Sequence, residues 1–146
     1  MTRGSRTIAV CSLAIVIALQ VVGIVSHTSL RHVVQTLPLW FPIVLGFRRQ
    51  DIAKWVALPC LVFWLGIMTL IWLFLLGWAR IVSGTFTPIE IAMTLVIGAS
   101  CLAGLGEAGR WRTATHPLVA TTLTMLFAFL QLLAFRVSML PSIASR

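Results

Sequence analysis

Residues Trp55–Trp78 read WVALPCLVFWLGIMTLIWLFLLGW, twenty-four positions without a charge and with a tryptophan at each end. At about 1.5 Å per residue this stretch makes roughly 36 Å of helix, enough to cross a hydrocarbon core about 30 Å thick with some tilt. Tryptophan favours the membrane–water boundary, where its ring keeps an apolar body and one wet edge. Trp55 and Trp78 therefore mark the two ends of a span. The chain is a helical membrane protein.

Downstream, Thr87-Pro88-Ile89-Glu90 opens a helix expected over 88–105, with a threonine cap, proline at the first helical position and glutamate at the third. That order is a capping box. A further span is expected over 117–135, beginning at Pro117 after Thr115 and His116, with Arg136 placed to reach the headgroups. Upstream, residues 7–26 are apolar and follow Arg3 and Arg6. This run exceeds the roughly 7–15 residues of a signal-peptide core and ends in Val22-Gly23-Ile24-Val25-Ser26, a poor cleavage site. A retained signal-anchor helix is expected.

Between these lies the awkward stretch 30–47, LRHVVQTLPLWFPIVLGF, with Arg31 and His32 at its front and prolines at 38 and 42. Its length barely spans a bilayer, and each proline removes a backbone donor and crowds the preceding turn. It reads as a kinked fifth crossing or as a re-entrant segment. Pro59 is placed in the first turn of the 55–78 helix, where its missing N–H costs little.

Charge chooses between the two readings of 30–47. Without a crossing there, and with the N-terminus inside, Arg3, Arg6, Arg80, Arg136 and Arg146 are inside. Arg31, Arg48, Arg49, Lys54, Arg110 and Arg112 are then outside, which is five against six. With a crossing, Arg48, Arg49, Lys54, Arg110 and Arg112 join Arg3 and Arg6 inside, giving seven against four. Cytoplasmic loops favour basic residues, so five crossings with a cytoplasmic N-terminus are expected. A bacterial inner membrane is the simplest setting.

Of the 146 residues, 60% are hydrophobic and 10% charged, whereas a soluble domain carries about a quarter charged. One transmembrane domain, 1–146, is expected. The net charge of +8 lies between apolar runs, where it serves orientation and contact with anionic lipid. No region is large enough for a nucleic-acid face. Cys11, Cys60 and Cys101 fall in separate apolar runs with no CxxC or zinc-type spacing, so they read as small buried hydrophobes.

Chemistry-bearing groups are scarce. No ionisable side chain lies at the centre of a span, where its cost would mark a function. Asp51 and Glu107 read as solvated loop residues among basic neighbours. Glu90 reads as the capping partner of Thr87, with a cation-binding carboxylate at the membrane edge as the sharper alternative. His27, His32 and His116 fall at span ends, and a bis-histidine haem site would require the four-crossing topology. The histidines form no i,i+4 pair, and no Ser–His–Asp set or phosphate-binding glycine loop is present. No catalytic residue, metal or cofactor is expected.

Two groupings remain. Arg31, His32 and Gln35 share a helical face at the rim beside the proline-broken stretch, a setting for a ligand or lipid headgroup as well as for simple snorkelling. Gly98, Ala99, Ser100, Ala103 and Gly104 crowd the 88–105 helix as small-xxx-small pairs, which suits a central packing helix. Gly104–Gly109 reads as that helix's end and a flexible link. Trp64, Met68 and Trp72 form a stripe read as lipid contact or a docking face.

The expected function is that of a non-catalytic accessory subunit, assembly factor or stabiliser acting through helix–helix contacts. Its partners would be membrane lipid and a partner membrane protein or a second copy. The alternatives are a homo-oligomeric small transporter or channel, with Gln20, Thr69, Thr94, Ser100 and Gln131 facing a shared cavity, and a haem-binding or enzymatic subunit using Arg31, His32 and His116.

Overall fold

A computed structural model describes residues 2–79 and 84–144, with side chains between residues 4 and 143. Arg80 and Arg146, used in the charge count, lie outside the described residues. Every regular element is helical: α1 Thr2–Val25, α2 Ser29–Thr36, a single 3-10 turn Leu37–Leu39, α3 Trp40–Phe47, α4 Ala53–Leu75, α5 Pro88–Arg110, α6 Pro117–Ser138 and the short α7 Pro141–Ala144. Four of them, α1, α4, α5 and α6, are long and apolar enough to cross a membrane.

The stretch 30–47 is two eight-residue helices joined by the 3-10 turn, and its contacts follow α1 from end to end. Gly23 lies against Ser29 and His32, the Gln20 amide donates to Thr36 Oγ1 at 3.3 Å, and Ser5 Oγ donates to the Gly46 carbonyl at 3.0 Å. From Ser5 to Gly23, α1 rises about 27 Å, and α2–α3 covers that rise in the opposite direction. The segment therefore traverses the bundle, and α1 begins and α6 finishes at opposite ends. Pro38 sits in the 3-10 turn, and Pro42 is the third residue of α3, where no intrahelical acceptor is lost.

Close approach makes the traverse possible. A Cβ on Gly46 would meet the Ser5 carbonyl oxygen at 2.6 Å and Ala9 Cβ at 2.8 Å. The chain then reverses through left-handed residues at C′ of three helices: His27 after α1, Arg49 after α3 and Gly77 after α4. In each case the following N–H reaches back to the helix, as with Thr28 N to Gly23 O at 2.8 Å and Gln50 N to Leu45 O at 3.0 Å.

Several expectations change. The centre is α1 rather than α5: half of the apolar stretch of α1 is buried, against 22% for α4, 22% for α5 and 17% for α6. Trp64 and Met68 are only 2% and 4% exposed, so most of the expected lipid stripe is core. Helix α5 continues through the glycine-rich 104–109 to Arg110, because Gly104, Ala108 and Trp111 are buried in the bundle. Pro59 falls in the second turn of α4, which starts at Ala53. Its ring leaves the Trp55 carbonyl without an intrahelical donor, and Thr124 Oγ1 on α6 lies 3.3 Å from that oxygen.

Candidate functional site

The described polar groups gather differently at the two ends of the bundle. Where α1 begins, α4 grips the chain after α5. Lys54 Nζ donates to the Trp111 carbonyl at 2.7 Å, Trp55 Nε1 donates to Thr113 Oγ1 at 3.1 Å, and the Ala114 N–H lies 3.4 Å from Asp51 Oδ2. Asp51 is thus tied to backbone rather than to its basic neighbours. Glu107 is in the last turn of α5 beside Gly4, not in a loop. His116 caps α6, with Nδ1 accepting from Leu118 N–H at 3.3 Å.

At the opposite end, α1, α2, α4, α5, α6 and residues 84–86 line a partly open cavity of about 480 Å³. Its floor is apolar, with Leu19, Trp64, Ile71 and Ile97 among its walls. Its polar lining comprises Arg31 and His32 near the start of α2, Glu90 in the first turn of α5, and the buried Gln35 further along α2. The three residues of the expected rim site therefore do face one space, together with the α5 carboxylate. Thr87 and Glu90 form the reciprocal cap: Thr87 N–H donates to Glu90 Oε2 at 2.7 Å, and Glu90 N–H lies 3.3 Å from Thr87 Oγ1.

Each rim side chain is held by local structure. His32 Nδ1 lies 3.0 Å from the Thr28 carbonyl, and a carbonyl can only accept, so Nδ1 carries the proton. Gln35, buried, donates to Ser138 Oγ at 2.9 Å, while Gln131 Nε2 donates to the Gln35 carbonyl at 3.2 Å just before the break in the helix. This pair of bonds ties α2 to α6. Arg31 differs. Its Nε–H is buried and has no hydrogen-bond partner among the described residues, and the same holds for Trp64 Nε1; both residues line the cavity, but neither buried atom presents surface to it. A buried donor without an acceptor costs about 1–3 kcal/mol, more when the group is charged. The Trp111 indole N–H at the other end is in the same state.

The remaining expected groupings do not converge. His27 and His32 lie at the cavity end and His116 at the other, a bundle length away, so the two ends cannot share a haem, and Arg31, His32 and His116 form no common site. Gln20 is turned to Thr36 and Gln131 to Gln35. Thr69 is exposed and bonded to its own helix at the Leu65 carbonyl. No group of three His, Cys, Asp or Glu able to hold a metal occurs among the described residues.

The small-residue stripe also divides. Gly104 is buried, with Leu61 Cδ1 only 2.9 Å from a would-be Cβ. Ala99 and Ala103 are exposed, and a Cβ on Gly98 would meet nothing within 4 Å. With α4, this outer part of α5 forms a groove of about 520 Å³ that Thr69, Trp72, Thr94, Gly98, Ala99 and Leu102 help to line. Sequence spacing alone missed the Trp64 indole and the Glu90 side of the cavity, because they come from helices remote from Arg31 in the chain.

No family model matches this sequence, and neither a characterised protein nor a solved structure is significantly similar to it.

Proposed function

We propose that this protein is a non-catalytic accessory or assembly subunit of a membrane complex, working through helix–helix contacts. The observation that carries the reading is the outward groove between α4 and α5. Gly98 and Ala99 bring the α5 backbone near the surface there, and Ala103 extends the exposed small face by one turn. In lipid, apolar helices gain little from mere burial. Association comes from close packing, and small residues four apart let two backbones approach. The occupant is a transmembrane helix of a partner chain. A second copy of this chain is the alternative, since Thr69 and Thr94 would then line a shared seam.

Orientation belongs to the same proposal. Arg3, Arg6, Arg48, Arg49, Lys54, Arg110 and Arg112 fall at the end where α1 begins, and Arg31 and Arg136 at the other. That bias supports a cytoplasmic N-terminus, in a bacterial inner membrane as the simplest case. A cysteine introduced by Gln50→Cys should resist an impermeant thiol reagent applied from outside intact cells; ready labelling would reverse the orientation.

The test of function is a photo-crosslinker at position 99 in the tagged full-length chain, with Met125 on the exposed face of α6 as control. A single second polypeptide, crosslinked at 99 and absent at 125, is expected, and Ala99→Leu with Ala103→Leu should abolish its co-purification. A crosslink of twice this chain's mass would establish the homo-oligomer instead. Crosslinks to lipid alone would remove the accessory reading.

A further inference from the structure

We propose that the cavity at the end opposite the start of α1 is a phospholipid site, with the lipid phosphate held by Arg31 and the first part of an acyl chain lying on the apolar floor. The cavity shares Met68 and Thr94 with the α4–α5 groove but is otherwise lined by other residues, and the inference rests on separate observations.

Three observations converge. Arg31 brings a permanent positive charge to the rim, and its Nε–H is shielded from solvent without an acceptor among the described residues. An arginine is planar and always charged, and its fork of N–H donors matches two oxygens of a phosphate. No hydrogen bond or ion pair engages the remaining guanidinium N–H groups among the described residues, and these, rather than the shielded Nε–H, meet the phosphate. Second, the walls change character with depth. Arg31, His32 and Glu90 lie near the starts of α2 and α5, while Leu19, Trp64 and Ile97 lie further into α1, α4 and α5. A soluble anion has no use for such walls, whereas an amphiphile matches both parts. Third, the cavity lies at an end of the bundle, level with the turn after α1 and the cap of α5, where headgroups meet the hydrocarbon.

Glu90 refines the ligand class. One of its oxygens is used by the Thr87 N–H, and the carboxylate shares the rim with Arg31. A headgroup bearing an ammonium beside its phosphate places its cation toward Glu90 and its anion toward Arg31. A zwitterionic aminophospholipid is therefore preferred over an anionic one. Gln35 is spent on Ser138 and acts as a positioning residue, fixing α2 against α6 so that Arg31 stays at the rim.

The experiment is native mass spectrometry of the full-length protein, delipidated in mild detergent. It is titrated separately with dioleoyl phosphatidylethanolamine, dioleoyl phosphatidylglycerol, dioleoylglycerol and inorganic phosphate. The wild type should bind phosphatidylethanolamine most tightly and dioleoylglycerol at least about tenfold more weakly, the scale of a lost charge-assisted bond. Arg31→Gln should lose a similar factor, while Arg48→Gln, at the other end, should change nothing. Glu90→Gln should erase the preference for phosphatidylethanolamine over phosphatidylglycerol. Ile71→Trp, which fills the cavity from α4 and leaves Arg31 in place, should weaken both lipids and keeps the test open if Arg31→Gln fails to fold. Equal binding of dioleoylglycerol, undiminished binding by Arg31→Gln or Ile71→Trp, or binding of inorganic phosphate as tight as that of phospholipid would each overturn the proposal.

Discussion

At the end of the bundle where α1 begins, Lys54, Trp55 and Asp51 each spend a polar atom on the chain that follows α5, and Gly46 presses its backbone onto Ser5. At the other end the bundle leaves a cavity that Arg31 and Trp64 help to line. The first end is closed by protein contacts, with the Trp111 indole N–H there also lacking an acceptor among the described residues; the second keeps a cavity lined by a guanidinium. Uniform consistency of packing and polar satisfaction is what a fold needs, and sites that break it are where function is stored.

The sharpest way to break this comparison is to put a methyl group on the glycine of each end. Gly46→Ala forces Cβ to within 2.6 Å of a backbone oxygen and 2.8 Å of Ala9, neither of which can rotate away. It should cost about 2–3 kcal/mol, the range of overpacked cores, read as a large fall in thermal midpoint in detergent. Gly23→Ala at the cavity end meets Ser29 Cα at 3.1 Å and His32 at 3.2 Å. A shift of a few tenths of an ångström relieves this, and alanine gains about 1 kcal/mol over glycine in a helix. A change near zero is expected. If the two variants fall equally, the ends are equally tight and the contrast fails.

The next pair tests the charges. Lys54→Ala removes a charged donor from the Trp111 carbonyl and should cost about 1 kcal/mol, discounted because the pair is partly exposed. Arg31→Gln removes a cation whose Nε has no partner among the described residues, so in lipid-free detergent the fold should hold or gain slightly. A loss from Arg31→Gln matching that from Lys54→Ala would mean that Arg31 is a structural residue.

How much of this was legible in the chain follows from what lipid does to the hydrophobic signal. Trp55–Trp78 and the Thr87–Glu90 cap are local patterns, and α4 and the start of α5 occur where those patterns lie. For 30–47 the placement of Arg48, Arg49 and Lys54 favours a crossing, and α2–α3 run the length of the bundle beside α1. Centrality was not readable. In water an apolar face means core, but in lipid Trp64 on the inside and Phe129 on the outside obey the same preference. Hydropathy therefore could not tell that α1 is the hub, nor that Ala99 and Ala103 face out while Gly104 faces in. The cavity was half legible: Arg31, His32 and Gln35 are close in sequence, whereas Trp64 and Glu90 join them only through the packing of α4 and α5.

The smallest effect separates what the two ends share from what they do not. His27 after α1 and Arg49 after α3 both adopt a left-handed conformation, with φ of 56° and 58°, in the position that Gly77 fills after α4. A residue with a Cβ pays about 1–2 kcal/mol there. Glycine avoids that strain but loses about 0.4–1 kcal/mol through the greater freedom of its unfolded chain. His27→Gly and Arg49→Gly should therefore each stabilise by about 0.5–1 kcal/mol, a rise of a few degrees in thermal midpoint at most, while Gly77→Ala should fall by a similar amount. Because the strain lies in the backbone, the gain should be the same at the tight end and at the cavity end, and lipid binding should not change. A gain at Arg49 with a loss at His27 would show that the His27 side chain supports the cavity rim, which would extend the ligand site into the turn after α1.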